Sequence, residues 1–266
     1  MNDTESLTGT LTQMALAAED AAALVPALSG PTPFDSWAGL KTALDAAEGP
    51  VKALLRDRLD RARPGLTWAD ELDTDVSTTG EAWVVDPLDG AVQYLQGLPQ
   101  WAISIALVRD GRPILAALHS ATLGRTYTAA LGAGAFLNGT PISPSPKTTL
   151  ALSMVGTSHP PLVGKQPDAI AATSRAMSAL LPVVGAHRNL GPTSWQVADV
   201  ASGRMDAFWQ YGRDAGNLLG ASLVVRESGA LVTDAEGRPW HADSASFLAA
   251  PADLHAQLVR LLADPN

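Results

Sequence analysis

Cysteine is absent from the 266-residue sequence, which excludes disulfide bonds and thiolate metal sites. No apolar run approaches the roughly 20 residues that a membrane-spanning helix requires. Residues 1–5 also lack the positive charge with which a signal peptide begins. We therefore expect a cytoplasmic protein that does not associate with membranes.

Positive charge is scarce as well, since 18 lysine and arginine residues stand against 27 aspartate and glutamate residues, for a net charge of −9. Nonspecific nucleic-acid binding depends on clustered lysine and arginine, so we expect no nucleic-acid partner. The excess of carboxylates is compatible with a site for cations. With 46% hydrophobic and 17% charged residues, the composition excludes a disordered chain and predicts a folded core.

Helical and strand patterns alternate in blocks along the chain, without an internal repeat. Apolar spacing predicts helices over residues 6–28, 51–62, 169–181, 195–203, 218–228 and 251–262. The helix at 218–228 is predicted to be amphipathic, and Gly49-Pro50 to break any helix before residue 51. Apolar runs predict strands over residues 82–85, 103–109, 113–119, 125–129, 205–210, 230–233 and 246–249.

Turn residues complete this outline. Asp110-Gly111 predicts a hairpin between two of the strands, and residues 132–139 are predicted to form a loop. A proline- and serine-rich stretch at residues 141–149 predicts a boundary between an N-terminal part, 1–145, and a C-terminal part, 146–266. The blocks indicate a mixed α and β class with more than two layers.

The most informative motif is Asp-Pro-Leu-Asp-Gly at residues 86–90, directly after a predicted strand. Its proline biases Asp86 toward an extended conformation, and Gly90 allows a tight turn. The carboxylates of Asp86 and Asp89 can therefore converge on one point, which suits a hard cation such as Mg²⁺. The alternative is a turn in which both carboxylates cap backbone amides.

Further segments lie around this motif in a consistent order. They are Asp-Glu at 70–71, Ala-Val-Gln-Tyr at 91–94, Pro99, Ser-Ile at 104–105, Gly-Ala-Phe-Leu-Asn-Gly at 134–139, Arg-Asn-Leu-Gly at 188–191 and Glu-Ser-Gly at 227–229. On these segments, the chain resembles the inositol monophosphatase family from roughly residue 45 to residue 250. The resemblance implies an α/β (α+β) fold layered as α/β/α/β/α. It also implies hydrolysis of a small phosphorylated metabolite with two or three Mg²⁺ ions, and we expect a homodimer.

The resemblance also implies a set of metal ligands. Asp70 takes the place of a glutamate that binds the first metal ion, and Asp86 and Asp89 bridge the ions. The backbone carbonyl of Leu88 is a further ligand, and Asn217 occupies the position of a ligating aspartate. Asp214 is a nearby carboxylate that could replace Asn217 only if the loop is shifted.

Catalytic and substrate-binding residues follow from the same resemblance. Asp45 corresponds to an aspartate that positions water, through an alignment that is loose around Gly49-Pro50. The catalytic residues are then Asp45, Asp89 and Ala91. The residues implied for substrate binding are Gly90, Ala91, Gly191, Thr193 and Gln210.

Four departures from the family pattern fall on this site. Ala91 replaces a threonine whose hydroxyl helps orient water, and a methyl group cannot form that hydrogen bond. Asp70 is one methylene shorter than glutamate, and Asn217 offers a neutral oxygen where cation affinity depends on charge. Gln210 replaces a glutamate that accepts a substrate hydroxyl in inositol-specific members, so inositol phosphate is less favoured than another sugar, polyol or nucleotide phosphate. The sequence therefore allows either a phosphatase of altered substrate or a homologue that has lost hydrolysis and retains binding.

Overall fold

The computed structural model describes residues 3–28, 30–70 and 79–263, with residues 3–6 and 70 described in the backbone only. Within these ranges the helices are α1 (Asp3–Ala22), α2 (Trp37–Ala62), α3 (Ala91–Leu95), α4 (Pro167–Leu180), α5 (Thr193–Ala201), α6 (Ala215–Glu227) and α7 (Ala252–Leu262). Short 3₁₀ turns occur at Leu150–Leu152 and Val163–Lys165. No helix in the described part of the chain has the length and hydropathy that crossing a bilayer requires.

Two β-sheets organise the fold. The first contains β1 (Thr67–Asp70), β2 (Glu81–Asp89), β3 (Ala102–Arg109), β4 (Arg112–Ser120), β5 (Arg125–Ala130), β6 (Gly134–Leu137) and β7 (Thr140–Pro141), which are adjacent in chain order. The second contains β8 (Met154–Thr157), β9 (Ala186–Arg188), β10 (Ala207–Tyr211), β11 (Leu231–Thr233) and β12 (Ser246–Ala250), in the order β11-β12-β10-β8-β9. The division into parts at residue 145 stays a prediction.

The helices cover the sheets in three layers. Helices α1 and α2 lie on one face of the first sheet, and α5 and α6 fill the space between the two sheets. Helices α4 and α7 cover the outer face of the second sheet. The expected α/β/α/β/α arrangement is therefore confirmed.

Helix α6 differs from its predicted character. Every residue from Ala215 to Val225 is buried, so the prediction of an amphipathic helix was wrong. The cause is its place between two sheets, where a helix has no face toward water. Gly220 permits the close approach, since a Cβ there would lie 3.4 Å from the Ala106 Cβ of β3.

Helix α2 is longer than predicted and runs through Pro50, so the predicted break was wrong. Its start is marked by Ser36, whose side chain accepts a hydrogen bond of 3.2 Å from the Gly39 amide. Proline removes one helical hydrogen bond, whereas Ala47 and Val51 on either side are buried against the first sheet. Packing of that apolar face holds the helix through the proline.

Strand prediction succeeded for the long apolar runs and for the short strand β11, and it missed β1, β6, β7, β8 and β9. The hairpin between β3 and β4 is confirmed, with Asp110 and Gly111 at φ 51° and 73°, the left-handed values that a tight two-residue turn uses. Strands β1, β8 and β9 have three or four residues each, and residues 132–139, predicted as a loop, contain β6. Helix α1 ends at Ala22 and not at residue 28.

The Glu-Ser-Gly segment at residues 227–229 has a structural role. The Glu227 carboxylate accepts hydrogen bonds of 2.9 Å from the amides of Gly132 and Gly134, in the turn between β5 and β6. That turn lies beside the start of β4, because the Leu131 amide bonds to the Ile114 carbonyl. The C-terminal end of α6 is thereby fixed at the end of the first sheet where the β3–β4 hairpin also lies.

Candidate active site

The Asp-Pro-Leu-Asp-Gly motif forms the C-terminal end of β2. Asp86 pairs with Ser104 and Asp89 with Ala102, so three steps along β2 oppose two steps along β3. Such a bulge bends the strand and leaves a residue unpaired. Pro87 is tolerated there because proline has no amide hydrogen to donate to the sheet and an unpaired position does not require one. Asp86 and Asp89 are 2% and 6% exposed, which is exceptional for carboxylates and demands compensating contacts.

Part of that compensation comes from backbone amides. The Leu88 amide donates to Asp86 Oδ1 over 2.9 Å, and the Ser194 amide donates to Asp89 Oδ2 over 3.0 Å. The hydrogen bonds to backbone amides that a capping turn predicts are therefore present. They involve Asp86 Oδ1 and Asp89 Oδ2, and they do not exclude a cation.

The first turn of α5 meets Asp89 directly. Ser194 donates both its amide and its Oγ hydroxyl to the same oxygen, Asp89 Oδ2. The positive end of the helix dipole consequently faces this carboxylate. The sequence analysis missed Ser194, and the available signal was weak: a Pro-Thr-Ser segment at the start of a helix.

Gly90 connects β2 to α3 in the left-handed conformation, with φ 89°. A Cβ at this position would lie 2.6 Å from the Gln100 carbonyl oxygen and 3.2 Å from Pro192 Cβ. The predicted tight turn is confirmed, and the close contacts exclude any side chain. Gly90 therefore sets the direction in which Asp89 leaves the strand.

The N-terminal turn of α6 lies at the same end of the first sheet as Asp86 and Asp89. Gly220 contacts the strand β3 beside Ser104, the residue that pairs with Asp86. Glu227, at the C-terminal end of α6, is held at the opposite end of the sheet. Asn217 lies one turn before Gly220, in the direction away from Glu227, and so toward the end with Asp86. A helix of 13 residues spans about 20 Å, so its two ends lie far apart along the sheet.

A buried aspartate occupies this N-terminal turn. Asp214 is 5% exposed and accepts hydrogen bonds of 2.8 Å from Gln210 Nε2 and from Asn217 Nδ2. Gln210 and Asn217, which the sequence analysis assigned to substrate and to metal, are thus joined by one carboxylate. Asn217 keeps its expected place in α6, and its role as a metal ligand in preference to Asp214 stays a prediction.

Other predicted site residues have contacts that differ from those the resemblance implies. Asp45 has a side chain that is 63% exposed and forms an ion pair of 2.6 Å with Lys41. Ala91 is half-buried against the apolar cluster beneath α1 and α2. The side chain of Asp70, and the whole of Glu71, lie outside the described residues.

The segment before α5 brings two predicted residues close to the motif. Gly191 has φ 49°, and its backbone lies so close to the side chain of Gln93 that a Cβ would overlap the amide. Thr193 donates its hydroxyl to Ser158 Oγ over 2.8 Å. These contacts tie the loop before α5 to α3 and to the loop after β8.

The donor set at the end of β2 fits one hard divalent cation. Mg²⁺ takes one or two carboxylates and completes its coordination with water and substrate phosphate oxygens. Asp86 and Asp89 would supply the carboxylates, and Asn217 Oδ1 is a buried oxygen that receives no hydrogen bond within the described residues. Across those residues, no group of three or more histidine, aspartate and glutamate side chains converges as a larger metal cluster would need.

Comparison with solved structures and with curated sequences identifies the family. The structure of an inositol monophosphatase from Anabaena matches with a TM-score of 0.81 at 24% identity, covering 97% of this chain and 96% of that one, which establishes the fold. An inositol-1-monophosphatase of Rhizobium meliloti is 32% identical over 213 residues, 79% of this chain and 75% of that protein. A Nus factor SuhB of Pseudomonas aeruginosa is 33% identical over 196 residues, 72% of this chain and 70% of that protein. The family profile described as "Inositol monophosphatase family" matches residues 35–264, and the chain belongs to this family.

Ser194→Ala tests whether the α5 contact positions Asp89. The substitution removes one of the two donors to Asp89 Oδ2, so we expect kcat/KM for the best phosphate ester to fall about tenfold. Ser153→Ala is the matched control, because Ser153 is also buried and donates to a backbone carbonyl, that of Thr149. An unchanged kcat/KM in Ser194→Ala would show that this hydrogen bond does not position the carboxylate.

Proposed function

We propose that the protein is a Mg²⁺-dependent phosphatase that hydrolyses a small phosphate monoester. The observation that carries this proposal is the pair Asp86 and Asp89, almost fully buried at the end of β2, with Asp89 bonded to the N-terminal turn of α5. Membership of a family that includes named inositol monophosphatases supports it.

The chain's own residues suit the binding of a phosphate ester. Asp86 and Asp89 would hold the cation, and Ser194 fixes the orientation of Asp89. Helices α5 and α6 direct their N-terminal ends toward this region, and helix N-termini favour anions. When bound, Mg²⁺ would neutralise charge on the phosphate and lower the pKa of the attacking water.

The substrate proposed here is a sugar, polyol or nucleotide phosphate in preference to inositol phosphate. Gln210 supports this choice, because a neutral amide oxygen accepts a hydroxyl hydrogen bond less strongly than a carboxylate does. Its side chain is fully buried, and its Nε2 is already bound to Asp214. Only Oε1 is therefore oriented to receive a donor from a ligand.

A second candidate function is a homologue that binds a ligand without hydrolysing it. The observation in its favour is the state of the groups expected to orient water: Asp45 is exposed and paired with Lys41, and Ala91 has no hydroxyl. A protein of this kind would keep cation binding by Asp86 and Asp89 and anion binding at the N-terminal end of α5. Relatives in the family bear names of both kinds, phosphatase and Nus factor.

A panel of phosphate monoesters tests the two candidates. We expect slow, Mg²⁺-dependent release of phosphate from at least one ester, abolished by a chelator and restored by Mg²⁺. The melting temperature is expected to rise on addition of Mg²⁺ with phosphate, because ligands that bind the folded state stabilise it. Stabilisation without phosphate release from any ester would favour the binding homologue, and neither effect would contradict both.

A further inference from the structure

Asp214 lies between two amide side chains at the start of α6. Its Oδ2 accepts from Gln210 Nε2 and its Oδ1 accepts from Asn217 Nδ2, each over 2.8 Å. All three side chains are buried, with exposures of 5%, 0% and 4% in the order Asp214, Gln210 and Asn217. The Asp214 side chain forms no hydrogen bond with the free amides of α6, so its contacts do not serve to cap the helix.

The chemistry of a carboxylate determines how these two amides are turned. An ionised carboxylate only accepts hydrogen bonds, so Gln210 and Asn217 must both direct their NH₂ groups toward Asp214. Their oxygens then face away from it. Gln210 Oε1 and Asn217 Oδ1 are both buried, and in the described part of the chain neither receives a hydrogen bond.

Buried acceptors without a donor are rare in folded proteins and point to a ligand. Asn217 lies at the Asp86 end of the first sheet, one helical turn before Gly220, which contacts β3 beside Ser104. Its oxygen is therefore suited to a cation held there by Asp86. Gln210 Oε1 is suited to a donor group on the molecule that accompanies the cation.

We propose that Asp214 is a positioning residue, which holds Asn217 Oδ1 toward the bound cation and Gln210 Oε1 toward the substrate. The proposal rests on the proposed function for the identity of the ligands. Mutation of a group that orients a metal ligand by hydrogen bonding typically costs about 10–100-fold in metal affinity. Asn217 itself carries no negative charge, unlike an aspartate at the same position. The nearby negative charge is on Asp214, which is hydrogen-bonded to Asn217.

Asp214→Asn would break this arrangement. Gln210 and Asn217 contact different terminal atoms of residue 214, and in an amide one of those atoms is an oxygen and the other an NH₂ group, so one neighbour would face a donor instead of an acceptor. Either Gln210 or Asn217 would then turn its oxygen inward, toward residue 214. Asp214→Asn also removes a negative charge, and the experiment must separate that effect from the loss of orientation.

A double-mutant cycle on Mn²⁺ binding, measured by electron paramagnetic resonance on the full chain, makes this separation. We expect Asp214→Asn and Asn217→Ala each to weaken Mn²⁺ binding by about 10–100-fold. If Asp214 acts through Asn217, Asp214→Asn adds less than about threefold in the Asn217→Ala background, because its effect requires the amide. The melting temperature without metal verifies folding, and Asp214→Ser replaces Asp214→Asn in the cycle if the latter does not fold.

The inference is overturned if Asp214→Asn binds Mn²⁺ within twofold of the wild type, or if the effects of the two substitutions are independent and multiply in the double variant. Absence of Mn²⁺ binding by the wild type also overturns it. Phosphate release is measured separately on the wild type. Coupled Mn²⁺ binding without hydrolysis of any ester supports the positioning role and contradicts the proposed phosphatase function.

Discussion

Replacing Asp86 with asparagine is expected to reduce Mg²⁺-dependent phosphate release by at least about a hundredfold, the upper range for residues that only support a metal ligand. The amide keeps the size of the side chain and removes the charge that would hold the cation. Because Asp86 is almost fully buried, water cannot replace the lost interaction. Mg²⁺ titration of phosphate release in both proteins gives the comparison.

Asp234→Asn is the matched control for this substitution. Asp234 is 5% exposed and accepts hydrogen bonds from Glu236 and Arg238, in the turn that follows β11. We expect its activity to stay within about twofold of the wild type even if its melting temperature falls, since these hydrogen bonds of Asp234 lie within its own turn and involve no residue of the candidate site. Equal losses in the two variants would mean that Asp86 contributes to the fold and not to cation binding.

Gly90→Ala is expected to cause the largest loss of stability. The residue has φ 89°, and the added Cβ would lie 2.6 Å from the Gln100 carbonyl oxygen. Strain in the left-handed region and overpacking each cost about 1–3 kcal/mol, so we expect about 2–6 kcal/mol in total. For a chain of this size each kcal/mol lowers the melting temperature by roughly 2–4 °C, and circular dichroism measures the fall.

Gly139→Ala separates the two causes. Gly139 also has a left-handed conformation, φ 74°, but no atom lies within 4 Å of a Cβ built there. This control is expected to lose about 1–2 kcal/mol from backbone strain alone. Melting temperatures that fall equally in both variants would show that the turn at Gly90 relaxes away from Gln100, contrary to the tight contact described here.

Local patterns were sufficient to predict the elements whose causes are local. The β3–β4 hairpin followed from Asp110-Gly111 between two apolar runs, and the bend at residues 86–90 followed from its proline and glycine. The character of α6 could not be predicted, because burial on all sides comes from two sheets that the periodicity of one helix does not reveal. The path of α2 through Pro50 likewise depends on packing of Ala47 and Val51 against the first sheet.

The residues of the candidate site also differ in whether local sequence could predict them. Asp86, Asp89 and Gly90 were recognisable because they are adjacent in the sequence. Ser194 contacts Asp89 across 105 positions of the chain, and no pattern around either residue indicates the pair. Asp214 was noted only as a nearby carboxylate, since the turn that joins it to Gln210 and Asn217 is set by tertiary structure.

A crystal soaked with Mn²⁺ and phosphate tests the central claim most directly, because anomalous scattering locates the metal independently of any activity. We expect a Mn²⁺ peak bound by carboxylate oxygens of Asp86 and Asp89 at distances near 2.1 Å, roughly those of Mg²⁺ ligands. A phosphate ion is expected between that peak and the N-terminal turn of α5. Absence of a peak at these two carboxylates, with Mn²⁺ bound only at the surface, would contradict a metal-dependent phosphatase site at the end of β2.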